Sequence, residues 1–178
     1  MTNIYSPAED SYLMQKVLQE KIPIFLKGNP SLKVLEIGAG SGIQLVILQQ
    51  SGVKNIFSSD INPHAVMQCK KMGFECVQSD LFEKIKGKYD LIIFNPPYLP
   101  EDKNEPRESK ISTTGGKNGS EIINKFLIQA RKYLEKNGKI FLLTSSLTKN
   151  IDWHDYKKTK IAEDDLFMEK LFVWEVWI

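Results

Sequence analysis

A mainly parallel α/β sheet with helices on both faces is predicted by three features of this 178-residue chain. Short β-rich runs recur along it, helical patterns separate most of them, and the last run leaves no room for a crossover helix. The runs are KVLEIG at 33–38, NIFSSD at 55–60, FECVQSD at 74–80, YDLIIFN at 89–95 and KIFLLTS at 139–145. The terminal LFVWEVWI is expected to run antiparallel to a neighbour, which makes the sheet mixed at one edge.

The helices follow from periodicity and end signals. Ser6, Pro7 and Glu9 read as a capping box with Pro7 at the first helical position, opening a helix that runs to about Pro23. Residues 1–30 thus form an N-terminal helical segment. A second helix, 43–50, follows a glycine turn. Ile122, Ile123, Phe126, Leu127, Ala130, Tyr133 and Leu134 recur at helical spacing, with Gly138 placed to close that helix. The segment 99–120 has no periodicity and is rich in Pro and Gly. A loop of that length in a small domain is expected to serve function, here as a lid over a substrate.

Composition bounds the rest. With 42% hydrophobic and 26% charged residues the chain can bury one substantial core, so one domain over 1–178 is expected. No stretch reaches the roughly 18 apolar residues of a membrane span, and MTNIYSPAED lacks the pattern of a signal peptide. A cytoplasmic location is expected, with Cys69 and Cys76 reduced and structural. A net charge of +2 gives no basic excess for non-specific nucleic-acid binding.

Gly38, Gly40 and Gly42 lie between a strand and a helix, where backbone can approach a ligand at the strand's carboxyl end. Alone they read equally well as a steric necessity of a tight turn. Asp60 ends the next strand, where a carboxylate can accept from both hydroxyls of a ribose. Asn62 is free to cap the helix that follows, which leaves Asp60 for a ligand. Asp80 ends the third run, placed to meet an adenine edge, with Leu81 packing on the ring. A dinucleotide would need glycine at Ile43, and Glu36 would repel its pyrophosphate while suiting the ammonium of a methionine moiety. S-adenosylmethionine is the cofactor that fits.

Asn95-Pro96-Pro97-Tyr98 follows the apolar strand LIIF, so the asparagine reaches the same crevice. An amide or exocyclic base nitrogen is a poor nucleophile because its lone pair is delocalised. The carbonyls of Asn95 and Pro96 can each accept one N–H and draw the nitrogen towards tetrahedral geometry, favouring the positive charge that develops on methylation. Tyr98 offers a flat surface for a planar group, and Pro96 and Pro97 restrict the loop. His64 and His154 need no role, because the methylated nitrogen can lose its proton to water afterwards.

VLEIGAGSG, SSDINPHA, SDLFE and FNPPY resemble, in order and spacing, the class I methyltransferases of the HemK type, which methylate the glutamine of the Gly-Gly-Gln tip of release factors. IYSPAEDSYLM and GGKNGSEIINKFL point to their short archaeal and eukaryotic branch. The resemblance extends to about Ser145 and fades between Thr148 and Asp165, where a short final helix in a highly charged stretch is expected. It implies a Rossmann-like, seven-stranded sheet with a reversed last hairpin. It also implies that Glu36, Gly38, Gly40 and Asp60 bind the methionine and ribose parts, that Asp80 and Leu81 flank adenine, and that Ser11 approaches the cofactor. Asn95 and the Pro96 carbonyl, with Pro97 and Tyr98, are implied to hold the substrate amide. The expected partners are a release factor as substrate and a small zinc-binding activator subunit, paired along the edge run 74–77. Two rival readings stand beside this one: a methyltransferase of DNA or RNA base amino groups, and a non-catalytic module retaining the fold.

Overall fold

The computed structural model describes residues 4–102 and 113–178. Seven strands form one sheet: β1 (Lys33–Ile37), β2 (Asn55–Asp60), β3 (Glu75–Gln78), β4 (Tyr89–Phe94), β5 (Leu134–Ser145), β6 (Lys157–Leu166) and β7 (Glu169–Trp177). Their order is β3-β2-β1-β4-β5-β7-β6. The first five pair in parallel, and β7 runs antiparallel to both β5 and β6. The mixed sheet and the reversed final hairpin follow the sequence expectation.

The central strands are buried on both faces, which is why they read as apolar runs rather than alternating ones. Val34, Leu91, Ile93, Phe141 and Leu143 face one layer, with α1 (Glu9–Gly28) and α2 (Ile43–Gln50) packed on them through Leu13, Val17, Leu18 and Leu48. Leu35, Ile92, Phe94, Ile140 and Leu142 face the other, covered by Ile123, Phe126, Leu127 and Ala130 of α4 (Glu121–Ala130). A third cluster joins Leu45, Val66 and Cys69 to Phe74 and Cys76 beneath α3 (Pro63–Lys71).

Several local expectations are corrected. Helix α1 starts at Glu9, not at Pro7, and its cap position, Ala8, makes no side-chain bond. Asp10 takes over part of the capping work, since its Oδ1 accepts the Ser11 N–H at 2.6 Å. The helix passes through Pro23 and ends at Gly28. An internal proline costs about 3 kcal/mol, and the packing on either side of it offsets that: Ile22 is fully buried and Phe25 meets the ring of Phe141 at 5.7 Å. Helix α4 stops at Ala130, and Arg131–Tyr133 form a 3-10 turn. Tyr133 leaves the helix to stack on Phe82, with ring centroids 4.6 Å apart, and Leu134 already belongs to β5. Gly138 therefore closes no helix. It lies inside β5 at a register shift against β4, where a Cβ would stand 2.9 Å from the Tyr89 carbonyl oxygen. No helix separates β5 from β6, and the charged stretch supplies β6 instead. Trp153 and Tyr156 of the connection pack on the face that α4 covers, with Trp153 against Trp174.

β3 is an edge strand, hydrogen-bonded only to β2 among the named strands. Its apolar side chains are less exposed than the sequence suggested, because Phe74 and Cys76 turn into the core. Two free, buried cysteines, Cys69 and Cys76, fit the reduced, structural reading. No helix among the described residues is long and apolar enough to cross a membrane.

Phe126 is fully buried between Phe94 at 4.5 Å and Phe82 at 5.4 Å. Phe126→Ala should therefore lower the unfolding free energy by about 3–5 kcal/mol in a urea titration. A loss within 1 kcal/mol or so, as typical of surface positions, would mean that α4 is not what closes this face.

Candidate active site

β1 pairs with β2 on one side and β4 on the other, so the carboxyl ends of three strands meet in one crevice. The strand order reverses between β1 and β4, the place where open α/β sheets bind ligands. The glycine turn leaves β1, Asp60 ends β2, and Asn95 follows β4. The sequence-predicted cofactor and substrate residues thus converge at this end. A cavity of about 570 Å³, lined by residues including Gln49, Lys54, Phe74 and Glu75, lies at the amino ends of β2 and β3, away from these groups.

Gly38, Gly40 and Gly42 have φ of +71°, +51° and +81°, a region that L side chains rarely adopt. The turn is tied to β2 by two donors on one acceptor: the Gly38 and Ala39 N–H groups reach the Ser59 carbonyl at 2.8 and 3.0 Å. Asp60 completes the tie. Its Oδ2 accepts the Gly40 N–H at 2.8 Å and its Oδ1 the Asn62 N–H at 2.7 Å. Asn62 caps α3 through the His64 N–H, as expected. A carboxylate offers about four acceptor sites, so Asp60 keeps capacity for a further donor beyond its backbone partners.

Glu36 is buried one residue before the end of β1, and its Oε2 has no hydrogen-bond partner among the described residues. Burial, then the nearby Asp60 and Cys76, holds its carboxyl well above the usual range. Burial also raises the Asp60 carboxyl, opposed by its backbone hydrogen bonds from Asn62, Gly40 and Ile61. A buried, unpaired acid beside a second acid is a site that a ligand cation would stabilise.

Across the crevice, the Asn95 amide donates through Nδ2 to Asp10 Oδ2 at 3.0 Å. Its Oδ1 is buried and has no partner among the described residues. Tyr98 is half-buried; burial, followed by Asp10 and Glu169, pushes its phenol up, so it stays neutral. The loop is held from behind: Thr148 Oγ1 donates to the Tyr98 carbonyl at 2.9 Å. Two glycines permit close approach there. A Cβ on Gly115 would meet the Pro97 carbonyl oxygen at 2.5 Å, and one on Gly119 would meet that of Tyr98 at 2.2 Å. Both lie in the segment expected to be a lid, of which residues 103–112 lie outside the described residues.

The remaining predicted residues are less open. Asp80 forms an ion pair with Lys125 of α4 at 2.7 Å, both groups part-exposed. Leu81 has a left-handed φ of +46° and is buried beside Phe82. Ser11 is buried; its carbonyl accepts from Gln44 Nε2 at 3.0 Å and its hydroxyl donates to Asp10.

A methyltransferase small domain model matches residues 11–154. The chain belongs to this methyltransferase family. Among its relatives, a chain of Methanocaldococcus jannaschii assigned as a protein N5-glutamine methyltransferase is 39% identical over 153 residues, covering 82% of this chain and 74% of that one. A release factor glutamine methyltransferase of Lactococcus lactis is 30% identical over 140 residues, which span 70% of this chain and about half (52%) of the bacterial one. The fold matches a crystal structure of a methyltransferase from Bacteroides fragilis at a TM-score of 0.58 and 18% identity, covering 99% of this chain and 79% of that one.

Sequence reasoning missed Asp10, Gln44 and Lys125 in this methyltransferase. Asp10 meets Asn95 across 85 residues of sequence, a pairing that no local pattern encodes. An acid in a first helical turn reads as macrodipole compensation, and only the fold gives it a partner.

Glu36 yields a pH prediction. A carboxyl whose folded pKa is raised binds its proton more tightly in the folded chain than in the unfolded one. Its contribution to stability is therefore full below the unfolded value of about 4.3 and declines as pH rises towards the folded value. Glu36→Gln should stabilise the ligand-free protein at neutral pH, and the gain in Tm over wild type should grow from pH 5 upward. A gain that is flat or shrinks over that range would contradict the assigned burial.

Proposed function

We propose that this chain transfers a methyl group from S-adenosylmethionine to the side-chain amide nitrogen of a glutamine, in the Gly-Gly-Gln loop of a release factor. The observation that carries the reading is the Asn95 carbonyl oxygen, buried and unpartnered among the described residues while the amide nitrogen beside it is engaged. A buried acceptor without a donor costs about 1–3 kcal/mol, and a substrate N–H relieves it. The names of the relatives, protein N5-glutamine and release factor glutamine methyltransferases, support the same acceptor.

The cofactor supplies an electrophilic methyl carbon on a sulfonium. The chain's residues do the rest. Glu36 faces the methionine ammonium, and Asp60 accepts from the ribose hydroxyls while its backbone bonds hold the turn of Gly38 and Gly40. Asp80 and Leu81 flank adenine, with Lys125 competing for the Asp80 carboxylate. Ser11 closes the methionine side. Asn95 Oδ1 and the Pro96 carbonyl each accept one N–H of the substrate amide, which turns the nitrogen lone pair out of conjugation. Tyr98 stacks on the amide plane, and Pro97 keeps the loop from relaxing. Gly115 and Gly119 of the segment 99–120 lie against this loop, and the segment serves as its lid. A glutamine on a glycine loop enters without the few kcal/mol of unstacking that a duplex base requires.

The partner reading extends to a small zinc-binding activator subunit, added as a strand beside β3. The open side of β3 supports it. Protection of amides 75–78 from hydrogen exchange on adding such a subunit is expected, and unchanged exchange would remove this surface from consideration.

Asn95→Ala should abolish transfer and leave adenosylmethionine affinity nearly intact. Asp60→Ala should weaken cofactor binding by about 2 kcal/mol in calorimetry, the worth of charge-assisted bonds. Equal loss of cofactor affinity in both would overturn this division of roles. The acceptor is tested by radiolabelled methyl transfer to release factor, tRNA and DNA side by side. Label on release factor that disappears when its glutamine is changed to alanine is expected. Label on nucleic acid alone would replace the protein reading with base methylation.

A further inference from the structure

We propose that Asp10 is the positioning residue that sets which end of the Asn95 amide faces the substrate. The proposal rests on the reading of Asn95 as the amide acceptor and concerns how that acceptor is kept the right way round.

An asparagine amide is almost symmetric in shape, and a half-turn about its last torsion exchanges carbonyl and amino groups. The two orientations have opposite chemistry. With the carbonyl inward, Asn95 accepts a substrate N–H. With the amino group inward, two donors face each other, and the substrate nitrogen is repelled rather than drawn into line. Something must therefore choose between them, and packing cannot, because the two ends have nearly the same size.

The geometry points to a choice made by charge. Asn95 Nδ2 donates to Asp10 Oδ2 at 3.0 Å, and Asn95 Oδ1 is left buried without a partner among the described residues. An ionised carboxylate only accepts, so it bonds the amino end and rejects the carbonyl end. Asp10 is itself 4% exposed, which removes the water that would otherwise blunt this preference. Its other oxygen is occupied by three donors: the Ser11 N–H at 2.6 Å, the Tyr5 hydroxyl at 3.1 Å and the Ser11 hydroxyl at 3.3 Å. Gln44, in the first turn of the helix that follows the glycine turn, anchors the Ser11 carbonyl. The carboxylate is thus oriented by the start of α1 and α1 by α2, and one oxygen is reserved for Asn95.

A charge swap tests the idea, with methyl transfer measured to whichever of release factor, tRNA and DNA takes label from the wild-type chain. Asp10→Asn can donate to the Asn95 carbonyl and trap the wrong orientation. Its kcat should fall by about 10²-fold, comparable to losing one preorganised group at a reacting centre. KM for the acceptor and adenosylmethionine Kd should change little. Asn95→Asp places two carboxylates against each other and should be at least as impaired. The double variant D10N/N95D restores one hydrogen bond with reversed polarity: the new amide at position 10 donates to the new carboxylate at position 95, whose second oxygen is free to accept. Its kcat should exceed that of both single variants, a coupling that a purely structural Asp10 would not produce.

Wild-type kcat in Asp10→Asn, or a double variant no faster than Asn95→Asp, would overturn the proposal. If melting shows that Asp10→Asn does not fold, the comparison of Asn95→Asp with the double variant decides it alone. The underlying reading fails separately: Asn95→Ala with full activity would remove Asn95 as the acceptor, whereas an inactive Asn95→Ala beside a fully active Asp10→Asn would remove only the role of Asp10.

Discussion

The exits of β1 and β2 are tied to each other before any ligand is considered. Two N–H groups of the glycine turn converge on the Ser59 carbonyl, and a third reaches the Asp60 carboxylate. These bonds continue the parallel ladder past the end of β1 and bend it over the crevice. The left-handed glycines follow from this, since a turn that gives three successive amides to β2 needs backbone that side chains rarely adopt. The position of Glu36 follows too, because the strand that carries the turn must carry that side chain beneath it. Asn95 enters the same crevice because β4 pairs with the other side of β1.

That arrangement concentrates unsatisfied polar atoms at one end of the sheet. Glu36 Oε2, Gln44 Oε1 and Asn95 Oδ1 are all buried without partners among the described residues. At about 1–3 kcal/mol each, they would consume much of the roughly 5–15 kcal/mol of a domain's stability. Two apolar layers and an aromatic stack of Phe82, Phe126, Phe94 and Tyr133 on the α4 side offset that cost away from the crevice. Ligands that bring N–H groups or a cation to these atoms would stabilise the fold in proportion to how tightly they bind.

Much of this was legible in the sequence because it is local. Apolar runs ending in Asp60 and Asn95, and three glycines after a strand, encode strand exits without knowledge of the partners. The end of α4 was not legible: Tyr133 and Leu134 continue the helical period, yet stacking on Phe82 draws Tyr133 into a tighter turn. Pro23 misled in the opposite direction, since the helix stop it signals was outweighed by the burial of Ile22 and Phe25 against the sheet. Gly138 reads as a helix terminator but serves a backbone contact with Tyr89 that exists only after β4 and β5 pair. The glycines at 115 and 119 read as hinges, and each leaves no room for a Cβ against a carbonyl of the Asn95–Tyr98 loop. In each case a residue's local preference has more than one use, and tertiary contact selects among them.

The start of α1 shows why the N-terminal segment belongs to the site. Residues 5, 10 and 11 touch neither the glycine turn nor the Asn95 loop through secondary-structure pairing. Even so, Tyr5 and Ser11 hold Asp10, Asp10 holds Asn95, and Gln44 holds Ser11 from the helix that the glycine turn begins. This chain of hydrogen bonds runs from the helix after the glycine turn to the Asn95 loop and passes through a segment with no strand of its own. Displacement of α2 by a ligand at the turn would act on the Asn95 amide through fixed bonds. The glycine turn is held by β2, yet the helix that follows it and the Asn95 amide both bond the first turn of α1, so the two halves of the crevice are not independent.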